Sequence, residues 1–300
     1  MPAPLNLSAA LLLSLPPLLW AGNAVVGRLM SELVSPMTLN LLRWLLAIVI
    51  LLPLAGQVLR RDSPLWPHWR RFSLLGLLSV GSYNALLYLA LNTSTPINVT
   101  LVGAGMPVWM LLIGRLKYGV VISLRQWLGA ALSVSGVLVV LCRGQLAMLL
   151  QVRLVPGDLY VLMASAAWAY YSWMLARPTT EPAALRNNWS AFLLGQIVFG
   201  VLWATLFTGG EWALGKGYFT WSWPVVLALV FFAVGPAVLA YRAWGAGVQR
   251  SGPAIAGFFA NLTPLFTALL STAFLGETPH LFHALAFALI VGGIVVSSRR

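Results

Sequence analysis

Long stretches of this chain carry no charged residue, and they decide what it can fold into. Residues 5–27, 44–59, 72–113 and 126–142 contain no Asp, Glu, Lys or Arg. A bilayer core about 30 Å thick is crossed by roughly 20 apolar residues in a helix. Membrane barrel strands would alternate apolar and polar residues. These runs are apolar on every side, which selects helices. Only 8% of the chain is charged, against about 25% in a soluble domain, so the expected fold class is an all-α integral membrane protein.

Turn and charge signals divide the chain into ten expected transmembrane helices at 6–29, 36–59, 72–92, 96–115, 124–142, 157–177, 188–208, 222–247, 253–275 and 279–298. The breaks include Leu33-Val34-Ser35-Pro36, the loop from Arg60 to Arg71, Asn92-Thr93-Ser94-Thr95-Pro96, and Pro156-Gly157-Asp158. Asp158 falls near a helix N-terminus, where the dipole favours an anion. No Lys or Arg precedes the first apolar run, so it reads as a retained helix and not a cleaved signal peptide.

A formal charge of +12 would point to nucleic acid in a soluble protein. Here its distribution sets topology. With the N-terminus inside, Arg60, Arg61, Arg70, Arg71, Arg115, Lys117, Arg125, Arg177, Arg186, Arg250, Arg299 and Arg300 are cytoplasmic. Only Arg28, Arg143, Arg153 and Lys216 lie outside, while Arg43 and Arg242 fall within spans. The bias places both termini in the cytoplasm of a multi-pass inner (plasma) membrane protein. The partners expected are the lipid bilayer and a small-molecule substrate, with no nucleic acid, in a monomer or weak oligomer.

The two halves, 1–150 and 151–300, look alike. Residues 94–140 match 251–297 at an offset of 157, pairing Ser94, Pro96, Pro107, Gly119 and Gly136 with Ser251, Pro253, Pro264, Gly276 and Gly293. Trp20-Ala21 matches Trp168-Ala169 at an offset of 148. Each half holds five expected helices, an odd number, so the halves must enter the membrane in opposite orientations. Inverted repeats of this kind place a binding site near the midplane and supply two related conformations for alternating access.

At this point the chain resembles the drug/metabolite transporter superfamily, in its ten-helix, two-repeat EamA-type branch. The resemblance rests on Trp20-Ala21-Gly22-Asn23, Pro36 with Arg43, Pro107, Pro264 with Gly276-Glu277, and Gly129, Gly136, Gly292 and Gly293. One departure is Val120, where the second half has Glu277. Within the group it is most similar to the aromatic amino acid exporters. The resemblance implies export of small neutral solutes.

Fourteen Trp residues carry the most specific signal. Trp66, Trp69, Trp127, Trp189, Trp212, Trp221 and Trp223 sit near span ends, where an aromatic belt is expected. Trp20 and Trp168 lie mid-span and are related by the repeat. They read either as packing between helices or as the lining of a central cavity that stacks on an aromatic solute. Asn23, Tyr83, Asn84, Asn98, Thr100, Tyr170, Tyr171 and Asn261 lie at similar depth, with Met106 and Trp109 on the fourth helix. Uncharged amides and hydroxyls either bond other helices or hold a zwitterion's charged end. The expected substrate-binding set is Trp20, Asn23, Tyr83, Asn84, Met106, Trp109, Trp168, Tyr171 and Asn261.

Pro107 and Pro264 each remove a backbone donor in mid-span and read as gating kinks. Arg43 reads as a carboxylate anchor or, preferentially, as a tie to carbonyls or to Glu32. The acidic residues Glu32, Asp62, Asp158, Glu181, Glu211 and Glu277 all fall in loops or at span ends. A proton- or sodium-coupled carrier usually keeps a carboxylate within the membrane, so facilitated export is the simpler expectation. The alternative is a proton-coupled exporter of drugs or other metabolites. No cofactor is expected, as there is no phosphate loop. The three histidines and Cys142 form no metal set, and one cysteine excludes an intrachain disulfide. An intramembrane enzyme would need a buried catalytic dyad, and none is visible.

Overall fold

The computed structural model describes residues 5–91, 93–94, 96–151, 153, 155–177, 181–275 and 280–298. Asn92, Thr95, Gly276, Glu277, Arg299 and Arg300, named above, lie outside the described residues. In chain order the helices are α1 (Leu7–Met30), α2 (Pro36–Ala55), α3 (Trp69–Gly76), α4 (Ser82–Leu91), α5 (Pro96–Gly103), α6 (Met106–Tyr118), α7 (Leu124–Leu141) and α8 (Pro156–Ala176). They continue as α9 (Ala183–Asn187), α10 (Trp189–Ala213), α11 (Trp223–Phe232), α12 (Ala240–Ser251), α13 (Pro253–Ala260), α14 (Leu262–Leu275) and α15 (Leu281–Ser298). A 3-10 turn, Gly56–Leu59, extends α2. Two π-helical stretches, Leu77–Gly81 and Ala233–Leu239, join α3 to α4 and α11 to α12 without a break. No strand is present among the described residues beyond an isolated bridge between Val34 and Phe219.

Eight stretches are long and apolar enough to cross a membrane: Leu7–Met30, Pro36–Leu59, Asn98–Tyr118, Leu124–Leu141, Trp189–Ala213, Trp223–Ser251, Pro253–Leu270 and Leu281–Ser298. Each overlaps an expected span. The other two expected spans are helical as well, at 69–91 and Pro156–Ala176. They fall outside that apolar set. Pro156–Ala176 carries Asp158 and a run of Trp, Tyr and Ser from 165 to 173 that lowers its hydropathy.

Two compact units emerge, and neither is a sequence half. The first comprises Met1–Val25, Leu86–Ala176 and Ala243–Arg300; the second, Val26–Ala85 and Arg177–Arg242.

In the first unit α7 packs along α15, and glycine makes the close approach possible. A Cβ on Gly129 would sit 2.7 Å from the Gly293 carbonyl oxygen, and one on Gly293 would sit 2.7 Å from that of Gly129. Likewise a Cβ on Gly136 would meet the Ala286 carbonyl oxygen at 2.9 Å. Lipid offers no hydrophobic drive between helices, so association depends on such close van der Waals approach. The contacts are reciprocal: Gly129 pairs with Gly293, and their partners at the 157-residue offset, Ala286 and Gly136, pair in turn.

The N-terminus of α8 is fixed in the same unit. The Asp158 carboxylate accepts the Val155 backbone N–H (2.9 Å), the Ser94 hydroxyl (2.5 Å) and the Asn98 amide (3.3 Å). This is half of a capping box, reinforced from another helix. Gly119 closes α6 in the left-handed region (φ 65°), with Val120 N–H reaching back to the Gly114 carbonyl.

In the second unit, α10 runs beside α2 and α3. Again glycines set the spacing: a Cβ on Gly76 would lie 2.5 Å from the Gln196 carbonyl, and one on Gly200 would lie 2.4 Å from Val80. Met30, Val34, Leu39, Val225, Ala228 and Phe232 form an apolar core. Ser35, which precedes α2, makes no cap bond of its own. Glu211 from α10 takes that role, accepting Met37 N–H (3.0 Å), Thr38 N–H (3.1 Å) and the Ser35 hydroxyl (2.6 Å). Tyr218, which donates to the Ser31 carbonyl, has its phenol pushed above the usual range by burial and by the negative charges of Glu211 and Glu32. An Arg71–Glu181 ion pair (3.0 Å), with Glu181 buried, ties the segment before α9 to α3.

Trp66, Trp69, Trp127, Trp212, Trp221 and Trp223 are all exposed, as a belt requires. Trp189 is half-buried beneath the Arg242 guanidinium, 4.3 Å from its ring.

Two measurements check this packing and orientation. Gly293→Ala should destabilise the purified protein by about 1–3 kcal/mol in detergent unfolding, because the new methyl overlaps backbone. The neighbouring Gly292, with nothing within 4 Å of its Cβ direction, should tolerate Ala with no loss. For topology, Ser63 lies in the loop that the charge bias puts inside, but it is buried and its hydroxyl accepts the Leu65 N–H. The exposed Asp62 is the better probe. In a Cys142→Ser background, Asp62→Cys should react with an impermeant maleimide only after the cells are opened; rapid labelling of intact cells would reverse the orientation.

Candidate functional site

Within the first unit Trp20, Tyr171 and Trp244 gather around Trp168. Trp20 meets Trp168 edge-on, with ring centroids 5.2 Å apart at 86°. Trp244 closes a triangle, 5.5 Å from Trp20 and 5.6 Å from Trp168. Tyr171 adds a fourth ring 5.0 Å from Trp168. Edge-to-face and tilted pairs of this kind contribute about 0.5–1.5 kcal/mol each beyond area burial. Trp244 Nε1 donates to Ser172 Oγ (3.0 Å), which in turn donates to the Trp168 carbonyl (2.8 Å). Trp168, Tyr171 and Trp244 are buried, whereas Trp20 is half-buried. Trp20 therefore presents the accessible face of the cluster.

The sequence singled out Trp20, Trp168 and Tyr171, which the structure brings into contact, and not Trp244. No repeat relation marks it, since Leu87 stands at the equivalent position. Its one signal is spacing: it follows Tyr241 by three residues, on the same helix face.

Other expected residues of this unit are spread along its helices. Asn23 is half-buried on α1, near Trp20. Met106 is buried at the start of α6, and Trp109 is half-buried three residues on. Asn261 donates both to the Ala104 carbonyl (3.1 Å) and to Ser133 Oγ (2.9 Å), so its amide hydrogens are used between helices. Tyr170 packs against the Lys117 ammonium, 3.9 Å from its ring centre, and Asn98 bonds Asp158 and the Arg153 carbonyl.

Pro107 and Pro264 are not inside continuous helices. The helix stops at Gly103 and restarts at Met106; it stops again at Ala260 and restarts at Leu262. Each proline thus occupies a first turn, where its missing N–H has no intrahelical partner to lose. Gly105 and Asn261 carry the two breaks, both with ψ near zero (0° and −4°).

Tyr83 and Asn84 belong to the second unit, half-buried in the first turn of α4. There the Asn84 amide donates to Asn40 Oδ1 (3.0 Å). The same oxygen accepts Arg43 Nη2 (2.7 Å) and Trp44 Nε1 (3.2 Å). Arg43 is 6% exposed, with its guanidinium 5.3 Å from the Trp44 ring centre. Tyr241 meets Trp44 edge-on at 5.0 Å and donates to the Ser79 carbonyl (3.1 Å). Asn40, which sequence reasoning passed over, is the hub.

The described carboxylates lie in loops or at helix ends, as expected: Glu32 and Asp62 are exposed, and Asp158, Glu181 and Glu211 hold the contacts given above. No cluster of His, Cys, Asp or Glu suited to a metal occurs among the described residues.

With eight described stretches long and apolar enough to cross a bilayer, the chain is a multi-pass membrane protein. It belongs to the EamA-like transporter family, whose model matches it twice, over residues 7–142 and 155–299. An uncharacterized transporter of Archaeoglobus fulgidus is 24% identical over 299 residues, 99% of each chain. The aromatic amino acid exporter YddG of Ancylobacter novellus is 26% identical over 245 residues, 81% of this chain and 78% of that one. The uncharacterized transporter YyaM of Bacillus subtilis is 24% identical over 228 residues, 76% of this chain and 72% of that one. A protein of known crystal structure superposes with a TM-score of 0.74 over 96% of each chain at 23% identity, which shows the fold.

The cluster makes one energetic prediction. Trp244→Ala removes a fully buried indole and should cost about 3–5 kcal/mol of stability. Ser172→Ala, which removes only the hydroxyl beneath it, should cost about 1 kcal/mol. Denaturant unfolding in detergent separates the two; similar losses would mean that the hydrogen bond dominates the ring packing.

Proposed function

We propose that this protein exports small neutral solutes that carry an aromatic ring, aromatic amino acids foremost, out of the cell by alternating access. The observation that carries the reading is the Trp20–Trp168–Trp244–Tyr171 cluster, with Trp20 left half-buried at its edge. A solute ring stacks on Trp20, whose orientation is held by Trp168 and Trp244. Asn23, on the same helix, offers an amide to the solute's polar end. The exporter among the relatives supports the same substrate class.

Ten transmembrane helices in two inverted repeats, 1–150 and 151–300, supply the machinery. The double family match and the reciprocal contacts of α7 and α15 support this arrangement. Pro107 and Pro264 follow helix breaks at equivalent points of the two repeats and serve as gates. Transport is facilitative in the cell's inner (plasma) membrane, with both termini cytoplasmic. A lipophilic-cation exporter would call for a membrane-embedded carboxylate. The buried Asp158 lies at a helix end and is already held by Ser94, Asn98 and Val155.

The test is efflux from liposomes without an imposed ion gradient, using tryptophan, phenylalanine, tyrosine, leucine and alanine. The aromatic solutes should leave fastest. Trp20→Ala should weaken them several-fold relative to leucine, since one stacking partner contributes about 1 kcal/mol. Trp221→Ala, exposed and remote in sequence from the cluster, should change selectivity little. Equal effects of both variants would remove the aromatic site. Concentrative uptake driven by a proton gradient alone would remove the facilitative mechanism.

A further inference from the structure

We propose that Asp158, with Ser94, Asn98 and Gly157, is a latch that holds one end of the first unit shut, and that the equivalent junction at the other end has none; this rests on the alternating-access reading above. The two junctions share a pattern. Ser94 stands two residues before α5, and Ser251, at the 157-residue offset, stands two residues before α13. They lie at opposite ends of the unit. The last turns of α12 bring Ser251 to the start of α1: a Cβ on Gly247 would lie 2.4 Å from the Leu13 side chain, and Arg250 donates to the Ser8 hydroxyl (3.1 Å). Leu175, near the end of α8, lies beside Gly245. The start of α8, where Ser94 sits, is the whole length of that helix away, roughly 30 Å.

The helix starts that accompany these junctions differ. α8 carries Gly157 and Asp158; the 148-residue offset puts Ala9 and Ala10 at the same places on α1. A Cβ on Gly157 would lie 2.4 Å from the Ala90 carbonyl oxygen and 2.7 Å from Thr93 Oγ1, so glycine is what lets α8 come this close. Asp158, 4% exposed, then accepts the Ser94 hydroxyl with one oxygen (2.5 Å) and the Asn98 amide with the other (3.3 Å). The Asn98 amide also donates to the Arg153 carbonyl (2.7 Å), which stitches the approach to α8 onto α5. On α1 an alanine, Ala10, replaces the carboxylate, and Ile255 replaces Asn98. Ser251 is 1% exposed, and its hydroxyl has no hydrogen-bond partner among the described residues.

The difference bears on movement because a buried carboxylate is costly to leave with fewer donors. Its bond to the Val155 N–H is local to the start of α8 and survives any shift of that helix. The Ser94 and Asn98 bonds cross to another element, and opening the junction breaks both. At the Ser251 end the described bond from α12 to α1, Arg250 to Ser8, is exposed, where water readily takes its place. The latched end is therefore the harder to open and the Ser251 end the easier. Alternating access opens one end while the other stays shut. With the orientation proposed above, the latched end faces outward, and an exporter built this way rests ready to load from the cytoplasm.

Maleimide labelling of the purified full-length protein tests the latch. In a Cys142→Ser background, the reporter is Ala90→Cys, at a buried position whose carbonyl faces Gly157. Ser94→Ala leaves the Val155 bond intact and removes one bond across the junction; it should speed labelling about fivefold or more. Asp158→Asn should speed it at least as much, since an NH2 then replaces one of the two accepting oxygens. If Asp158→Asn does not fold, Ser94→Ala carries the test alone. Ser251→Ala should leave the rate unchanged. A second reporter, Ala256→Cys, is equally buried on α13 and should not respond to Ser94→Ala. Equal acceleration at both reporters would make the cluster a matter of general stability and overturn the latch. So would equal effects of Ser94→Ala and Ser251→Ala, or a rate that Ser94→Ala leaves unchanged. Failure of the transport reading is separate: labelling as expected in a protein that moves no amino acid across liposomes leaves the latch standing and removes its place in an export cycle.

Discussion

The rest of this structure depends on one constraint: in an apolar solvent, each backbone N–H and C=O must find its partner inside the protein. Uninterrupted helices meet it automatically. The informative places are those where the chain departs from α-helix, because each frees a polar group that costs several kcal/mol if left bare in lipid. The break after Gly103 frees the Ala104 carbonyl, and Asn261 donates to it. At the π-turn Leu77–Gly81 the Ser79 and Val80 carbonyls accept Tyr241 and Asn40. The start of α2 leaves N–H groups that Glu211 accepts from α10. Asn, Tyr and Glu are thus placed by the backbone they serve, which explains why so few polar residues suffice.

The same constraint separates residues that hold the fold from residues able to meet a solute. Asn261, midway in its expected span, and Asn98, at the start of another, read in the sequence as members of one polar set. Asn261 spends both amide hydrogens on Ala104 and Ser133, and Asn98 is tied to Asp158 and Arg153. The aromatic set divides likewise. Trp168 and Trp244 are interior walls, and Trp20 is the ring with accessible surface.

How much of this was legible follows from what kind of information each feature needs. Span positions were legible because hydropathy and charge are local properties: the break at Ser35-Pro36 and the start of α7 at Leu124 fall where turn residues put them. Helix breaks near Pro107 and Pro264 were legible because proline forbids a specific bond. Their exact form was not, since a proline in a first turn and one in mid-helix look alike in sequence. Asn40 and Trp244 were not legible at all. Their importance comes from which helices meet, and two compact units that each draw on both sequence halves give no local trace of that pairing. Ser63 teaches the same lesson on the surface, since a serine in a polar loop proved buried.

The nature of the buried charge bears on energy coupling. A carboxylate or histidine in a span can bind and release protons during a transport cycle. An arginine cannot, because it stays protonated at any physiological pH. The described carboxylates sit at helix ends or in loops, where Asp158, Glu181 and Glu211 bond caps and loop segments. That placement supports the proposal of facilitative export, in which the gradient of the solute itself would be the driving force.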